Sequence, residues 1–166
     1  NYPIQIAMWK SGPALACGNT MVFKPAEQTP LSVLKLAEIY SEAGLPPGVF
    51  NVVQGSRDCG AALISHPDVA KVTLTGSVET GKIVMAHAAR DLKKVTLELG
   101  GKSPVIVLAD ADLDQAIAGA VDAIFSNAGQ VCVAGSRLYV EDSVYDEVID
   151  GVIERTKSLR VGAANL

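Results

Sequence analysis

The chain has 166 residues, 49% of them hydrophobic and 19% charged, with a formal net charge of −4. That length supports a sizeable core, and the acidic balance gives no electrostatic case for nucleic acid. No apolar run approaches the ~20 residues of a membrane span, and three cysteines without a CxxC pair argue against a disulfide framework and a zinc site.

No secretory leader is legible, so a cytoplasmic location is the default expectation. The chain opens at Asn1-Tyr-Pro without an initiator Met and closes at Gly162-Ala-Ala-Asn-Leu166, so both ends read as cut from something longer.

Strand-like and helix-like segments alternate along the chain, which predicts a parallel α/β sheet with flanking helices. Thr20–Phe23 reads as a buried strand. Thr29-Pro30 then supplies a cap and a first-turn proline for a helix running to about Ala43, and Gly44 stops it. Val49–Val53 is the next strand, and a short helix follows over Ala61–Ser65. Lys71–Leu74 is a third strand, leading through Thr75-Gly76-Ser77 into a helix over Val78–Ala89. Val95–Leu99 is a fourth strand, whose alternation puts Thr96 and Glu98 on one face and Val95, Leu97 and Leu99 on the other.

Pro104–Leu108 is a fifth strand. Asp112 and Gln115 resemble a capping box. Leu113, Ala116, Ile117, Ala120, Val121, Ile124 and Phe125 then follow the helical period. Leu138–Val140 is a short strand, and Val144, Tyr145, Val148, Ile149, Val152 and Ile153 mark a last helix. The glycine pair Gly100-Gly101 after the fourth strand predicts a domain change, with 1–100 and 101–166 as the two parts.

Two segments carry the chemistry. Phe125-Ser-Asn-Ala-Gly-Gln-Val-Cys132 sets a lone thiol just past an amphipathic helix. Leu97-Glu-Leu-Gly-Gly-Lys-Ser-Pro104 sets one carboxylate in an otherwise apolar strand. A thiolate can attack a carbonyl carbon, and a carboxylate among apolar neighbours is suited to hold and release a proton. The plainer readings are a buried structural Cys132 and a Glu98 on the solvent face of a half-exposed strand. Cys17 and Cys59 fit no motif and read as structural, and His66 and His87 read as surface or packed imidazoles.

Gly76-Ser-Val-Glu-Thr-Gly-Lys82 lies where a strand passes into a helix, a place where phosphate meets free backbone N–H groups. It spells most of a nucleotide P-loop, but Ile83 stands where the Mg²⁺-binding hydroxyl is required, and the GxGxxG of other dinucleotide folds is absent. Lys24-Pro-Ala-Glu27 follows a strand and, taken alone, is a charged surface turn. Asn1 before Tyr2-Pro3 is a turn residue on the same terms, and Lys10 a lysine on a helix surface.

Taken together, these motifs resemble the aldehyde dehydrogenase family from Asn1 to about Gly162, with Asn127, Gly129, Gln130, Ala134 and Arg137 around Cys132 also fitting its cysteine signature. Trp9-Lys-Ser11 and the stretch from Leu36 to Val53 lean toward the betaine-aldehyde branch. The resemblance implies a partial Rossmann-like NAD-binding domain over 1–100 and the start of the catalytic domain over 101–166. It implies that Cys132 is the nucleophile, Glu98 the base, Asn1 a donor to the oxyanion and Lys10 part of a proton relay.

It further implies cofactor contacts from Lys24, Pro25, Ala26, Glu27, Gly55, Gly76, Ser77, Thr80, Gly81, Leu99 and Gly100. Lys24 and Glu27 would hold the adenosine ribose, and the Glu27 carboxylate repels a 2′-phosphate, favouring NAD with NADP as the alternative. No metal is implied. The reaction would be oxidation of an aldehyde to its acid, by homodimers or homotetramers in full-length relatives.

The departures are physical. Relatives are much longer, Val78 replaces a common Thr, and Gly55–Gly60 is shorter than the usual loop and lacks its second Gly. The strand expected ahead of Asn1 and most of the catalytic domain are not in these residues. The 166 residues alone are therefore expected to be weakly active or inactive. The competing expectation is a non-catalytic domain of the same fold that acts by binding or assembly.

Overall fold

A computed structural model describes residues 1–163. It divides into two compact units: Tyr2–Leu99, and Asn1 together with the stretch from Gly100 onward.

The Tyr2–Leu99 unit runs α1 (Pro3–Ala16), β1 (Met21–Phe23), α2 (Leu31–Glu42), β2 (Phe50–Val52), α3 (Arg57–Ser65), β3 (Lys71–Gly76), α4 (Val78–Arg90) and β4 (Lys94–Leu99). β1 pairs with β2 and β3 with β4, both parallel, with Met21 opposite Phe50 and Lys71 opposite Lys94. Helical crossovers make this direction obligatory, because a parallel neighbour cannot be reached by a tight turn. One small core gathers Ala7, Val33 and Leu36 against Phe23, Tyr40, Phe50 and Val52. The rings of Tyr40 and Phe50 meet edge to face at 5.2 Å. Burying Val33 and Leu36 contributes roughly 1.5–3 kcal/mol each.

α1 packs on α2 and β1. It buries Ala7 and Ser11, and the Ser11 hydroxyl is held by the Ala7 carbonyl at 2.7 Å and the Tyr40 hydroxyl at 2.8 Å. α4 turns Val84 and Ala88 inward and packs on β3 and β4. Its head is closed by Ser77 Oγ, which accepts the Thr80 N–H at 3.1 Å.

The other unit holds β5 (Pro104–Val107), α5 (Leu113–Phe125), β6 (Arg137–Val140) and α6 (Tyr145–Lys157). β5 and β6 pair in parallel, and α5 packs on α6. The two helices approach closely because Gly151 has no side chain. A Cβ there would lie 2.5 Å from Ile117 Cδ1. Asp112 caps α5 by accepting the Gln115 N–H at 3.2 Å. The Gln115 amide bonds the Asp112 carboxylate at 2.7 Å, so the box closes side chain to side chain.

Among the described residues the strands form three separate parallel pairs, β1–β2, β3–β4 and β5–β6. Strand–helix alternation fixes the direction within a pair but not which pairs join sideways. Residues 3–16 carry a helix that the periodicity does not announce. Among the described residues no helix is long and apolar enough to cross a membrane, and no group of three or more His, Cys, Asp or Glu could hold a metal ion.

Candidate active site

Cys132 lies in a turn built by unusual backbone. α5 ends at Phe125, and Ser126–Gly129 forms a short 3-10 turn in which Asn127, Ala128 and Gly129 have φ of 51°, 56° and 75°. Three consecutive left-handed residues reverse the chain sharply and strain the two that are not glycine. The turn is then stitched down: the Ala134 N–H bonds Val131 O at 3.0 Å, and the Gly135 N–H bonds Ala123 O on α5 at 2.9 Å. Gly135 is packed so tightly that a Cβ would lie 2.5 Å from Val105 Cγ2 and 3.0 Å from Ala123 Cβ. The thiol is free and half-buried. The Cys132 carbonyl borders Gly101, whose Cβ would sit 3.9 Å away.

Asn1 belongs to this same unit. Its Nδ2 donates to the Gln130 carbonyl at 2.5 Å. This bond fixes the amide beside the loop that holds the thiol. Arg137 Nε donates to Lys102 O at 2.8 Å, tying the Gly100–Ser103 segment to β6.

Glu98 sits on β4 opposite Thr75 of β3. It is exposed, as is Thr96, while Val95, Leu97 and Leu99 on the other face are half-buried. The alternation read from the sequence holds, but the burial expected of the carboxylate is not supplied by the neighbours present. Lys10 reaches from α1 to β3, donating Nζ to Thr73 Oγ1 at 2.8 Å. Burial lowers the Lys10 pKa below the usual lysine value, the Glu98 carboxylate pulls it back up, and the Lys71 charge lowers it again.

Lys24 follows β1 directly. Its ammonium donates to Pro25 O at 2.8 Å and to Gly55 O at 3.0 Å, bridging the loops after β1 and β2. Pro25 is buried, and Ala26 and Glu27 are exposed. At the other strand pair, Gly76 ends β3 opposite Leu99. Ser77 and Thr80 share a hydroxyl–hydroxyl contact of 2.9 Å. Gly81 is buried, and a Cβ there would meet Leu99 Cδ1 at 2.7 Å, so its hydrogen lets α4 lie against the end of β4. A Cβ at Gly100 would meet nothing within 4 Å. An apolar groove of about 510 Å³ lined by Ile124, Leu138, Val152 and Ile153 contains none of these candidates.

Thr73 was not legible as a site residue. The available signal was the threonine alternation, Thr73 and Thr75 opposite Thr96 and Glu98.

The family model for aldehyde dehydrogenases matches residues 1–165. The chain belongs to the aldehyde dehydrogenase family. It is 58% identical over 162 residues to a betaine aldehyde dehydrogenase of Mesorhizobium japonicum, covering 98% of this chain and 33% of that protein. An NAD⁺ complex of aldehyde dehydrogenase from Bacillus cereus superposes with a TM-score of 0.93 at 50% identity, over 97% of this chain and 33% of that one. An NADP-dependent enzyme of E. coli gives 0.89 at 53% identity, over 92% and 32%. The chain thus spans about a third of the length of the aldehyde dehydrogenases it matches.

Proposed function

We propose that this sequence carries the nucleophile segment of an NAD-preferring aldehyde dehydrogenase that oxidises an aldehyde to a carboxylic acid through a thioester on Cys132. The observation that carries the reading is the bond from Asn1 to the Gln130 carbonyl. It holds a side-chain amide beside the strained turn that presents the thiol, and such a donor stabilises negative charge forming on a carbonyl oxygen.

In this reading 1–100 belongs to the cofactor domain and 101–166 to the start of the catalytic domain. The residues present fit a dinucleotide. Lys24 has three N–H donors, and two are taken by backbone carbonyls, which leaves one for a ribose hydroxyl. The N–H groups of Val78 and Glu79 lie ahead of the helical ladder at the head of α4, where an anion is favoured. Glu27 stands exposed after β1 and disfavours a 2′-phosphate. Pro25, Ala26, Gly55, Gly76, Ser77, Thr80, Gly81, Leu99 and Gly100 are the remaining residues assigned to the cofactor in this reading. The bound nucleotide supplies one thing, a hydride acceptor.

The chain's own residues do the rest. The Cys132 thiolate adds to the aldehyde carbon and makes a thiohemiacetal, whose oxyanion takes hydrogen bonds from Asn1 Nδ2 and the Cys132 N–H. Loss of hydride from that carbon leaves a thioester on sulfur. Glu98 removes a proton from water, the water oxygen attacks the thioester, and the acid leaves as the thiolate returns. Lys10, which reaches from α1 to Thr73 on the strand-pair face that carries Glu98, exchanges the proton. A cytoplasmic location and assembly into homodimers or homotetramers belong to the same proposal.

The 166 residues alone are weakly active or inactive, because preorganised contacts from the other two thirds of such enzymes are needed for affinity and orientation. The test is NAD reduction by the protein as isolated from its source, over an aldehyde panel. Turnover that disappears in Cys132→Ala is the expected result, and turnover that survives it overturns the reading.

A further inference from the structure

Lys10 is the only charged residue of α1, and it points at a strand pair rather than at solvent. In a parallel pair, residues at matched register share a face. Thr73 matches Thr96, Thr75 matches Glu98, and Lys71 matches Lys94, so one face of β3–β4 carries three threonines, one carboxylate and two lysines. A lysine stem has four rotatable carbons and a strongly hydrated head, and it stays at one place only if something holds it. The half-buried Lys10 donates its ammonium to the Thr73 hydroxyl at 2.8 Å.

We propose that Thr73 is a positioning residue: its hydroxyl fixes the Lys10 ammonium over the polar face of β3–β4, where it interacts with Glu98. This deepens the reading of Glu98 as the base and rests on it. The Glu98 carboxylate acts on Lys10 in the direction such a placement requires, raising its affinity for a proton, while Lys71 on the same face opposes it. Lys94, the register partner of Lys71, is the remaining charge on that face.

The test is a titration cycle on the 166-residue chain with ¹³Cε-labelled lysine, the Lys10 signal being assigned by its absence in Lys10→Met. Glu98→Gln should lower the Lys10 midpoint, by on the order of half a pH unit for a partly exposed pair. In Thr73→Val the lysine swings into water, its midpoint rises toward the ordinary lysine value, and adding Glu98→Gln no longer moves it. Thr73→Ser should restore the response. Thr73→Ala serves if the valine variant does not fold, and circular dichroism identifies the folded variants. A Lys10 response to Glu98→Gln that is as large without the hydroxyl as with it overturns the proposal, as does no response in the unaltered chain. None of these readouts depends on Glu98 acting as a base. That role fails separately, if Glu98→Gln leaves turnover intact.

Discussion

Asn1 donates its side-chain amide to the carbonyl of Gln130, 129 positions along the chain and just ahead of Cys132. The bond joins a residue that precedes α1 to the loop that follows α5. It serves the proposed chemistry twice, by anchoring the loop and by holding a side-chain amide beside the loop that carries the thiol. Asn1→Ala should lower kcat by about 10²–10³-fold with little change in KM, as removal of one oxyanion donor does. Steady-state kinetics on the protein from its source checks this, and a rise in KM at unchanged kcat would assign Asn1 to ground-state binding instead.

The close packing of Gly135 makes the Cys132 loop sensitive to one methyl group. Gly135→Ala places a Cβ 2.5 Å from Val105 Cγ2. Overpacking of this kind destabilises by about 1–3 kcal/mol. Chemical denaturation should show the loss, and thiol labelling of Cys132 should change with it, because the Gly135 N–H anchors the loop to α5. An unchanged unfolding midpoint would mean that the loop yields freely.

Lys10 gives a stability signature in alkali. Burial lowers its folded-state pKa, so between that value and the ordinary lysine range the unfolded chain binds more protons than the folded one. Stability attributable to Lys10 therefore rises with pH through that window and levels off above the unfolded value. Relative to Lys10→Met, the unaltered chain should gain stability as pH climbs toward 10.5. A difference that is flat or falls with pH would contradict the assignment.

Asp112 gives a signature of the same sign, in acid rather than in alkali. The Gln115 N–H, then the Gln115 side chain, hold its carboxyl below the usual carboxylate range. Its contribution is present above the unfolded value and is lost as pH falls through the folded one. Asp112→Ala should lower the melting temperature at neutral pH, and the difference should shrink on acidification. Thermal unfolding across that pH range is the check. A gap independent of pH would mean that the carboxylate is not the capping group.

These features were unequally legible in the sequence. α5 was readable to the residue because a cap, a Gln three positions on and a clean apolar stripe all agree. α1 was legible only as a helix surface around Lys10, without bounds, because it buries small residues, Ala7 and Ser11, and carries Gly12 and Pro13, so neither stripe nor propensity marks its extent. The order of the motifs named the candidate site, and their alternation put Glu98 on the face away from Leu97. Sequence spacing had no means of giving the reach of Lys10 to Thr73, which is a contact between residues 63 positions apart. Periodicity offered both a buried and a solvent-facing Glu98 and could not choose between them, because exposure depends on what covers a face and not on the strand that presents it.

The central claim is that Cys132 carries the acyl group. The most direct measurement is peptide mass spectrometry of the Glu98→Gln variant, quenched after incubation with an aldehyde and NAD. Blocking water attack should leave the acyl group on the Cys132 peptide, with the mass of the aldehyde less two hydrogens, and Cys17 and Cys59 unmodified. An unmodified Cys132 alongside continued NAD reduction, or an acyl group on another residue, would contradict the account.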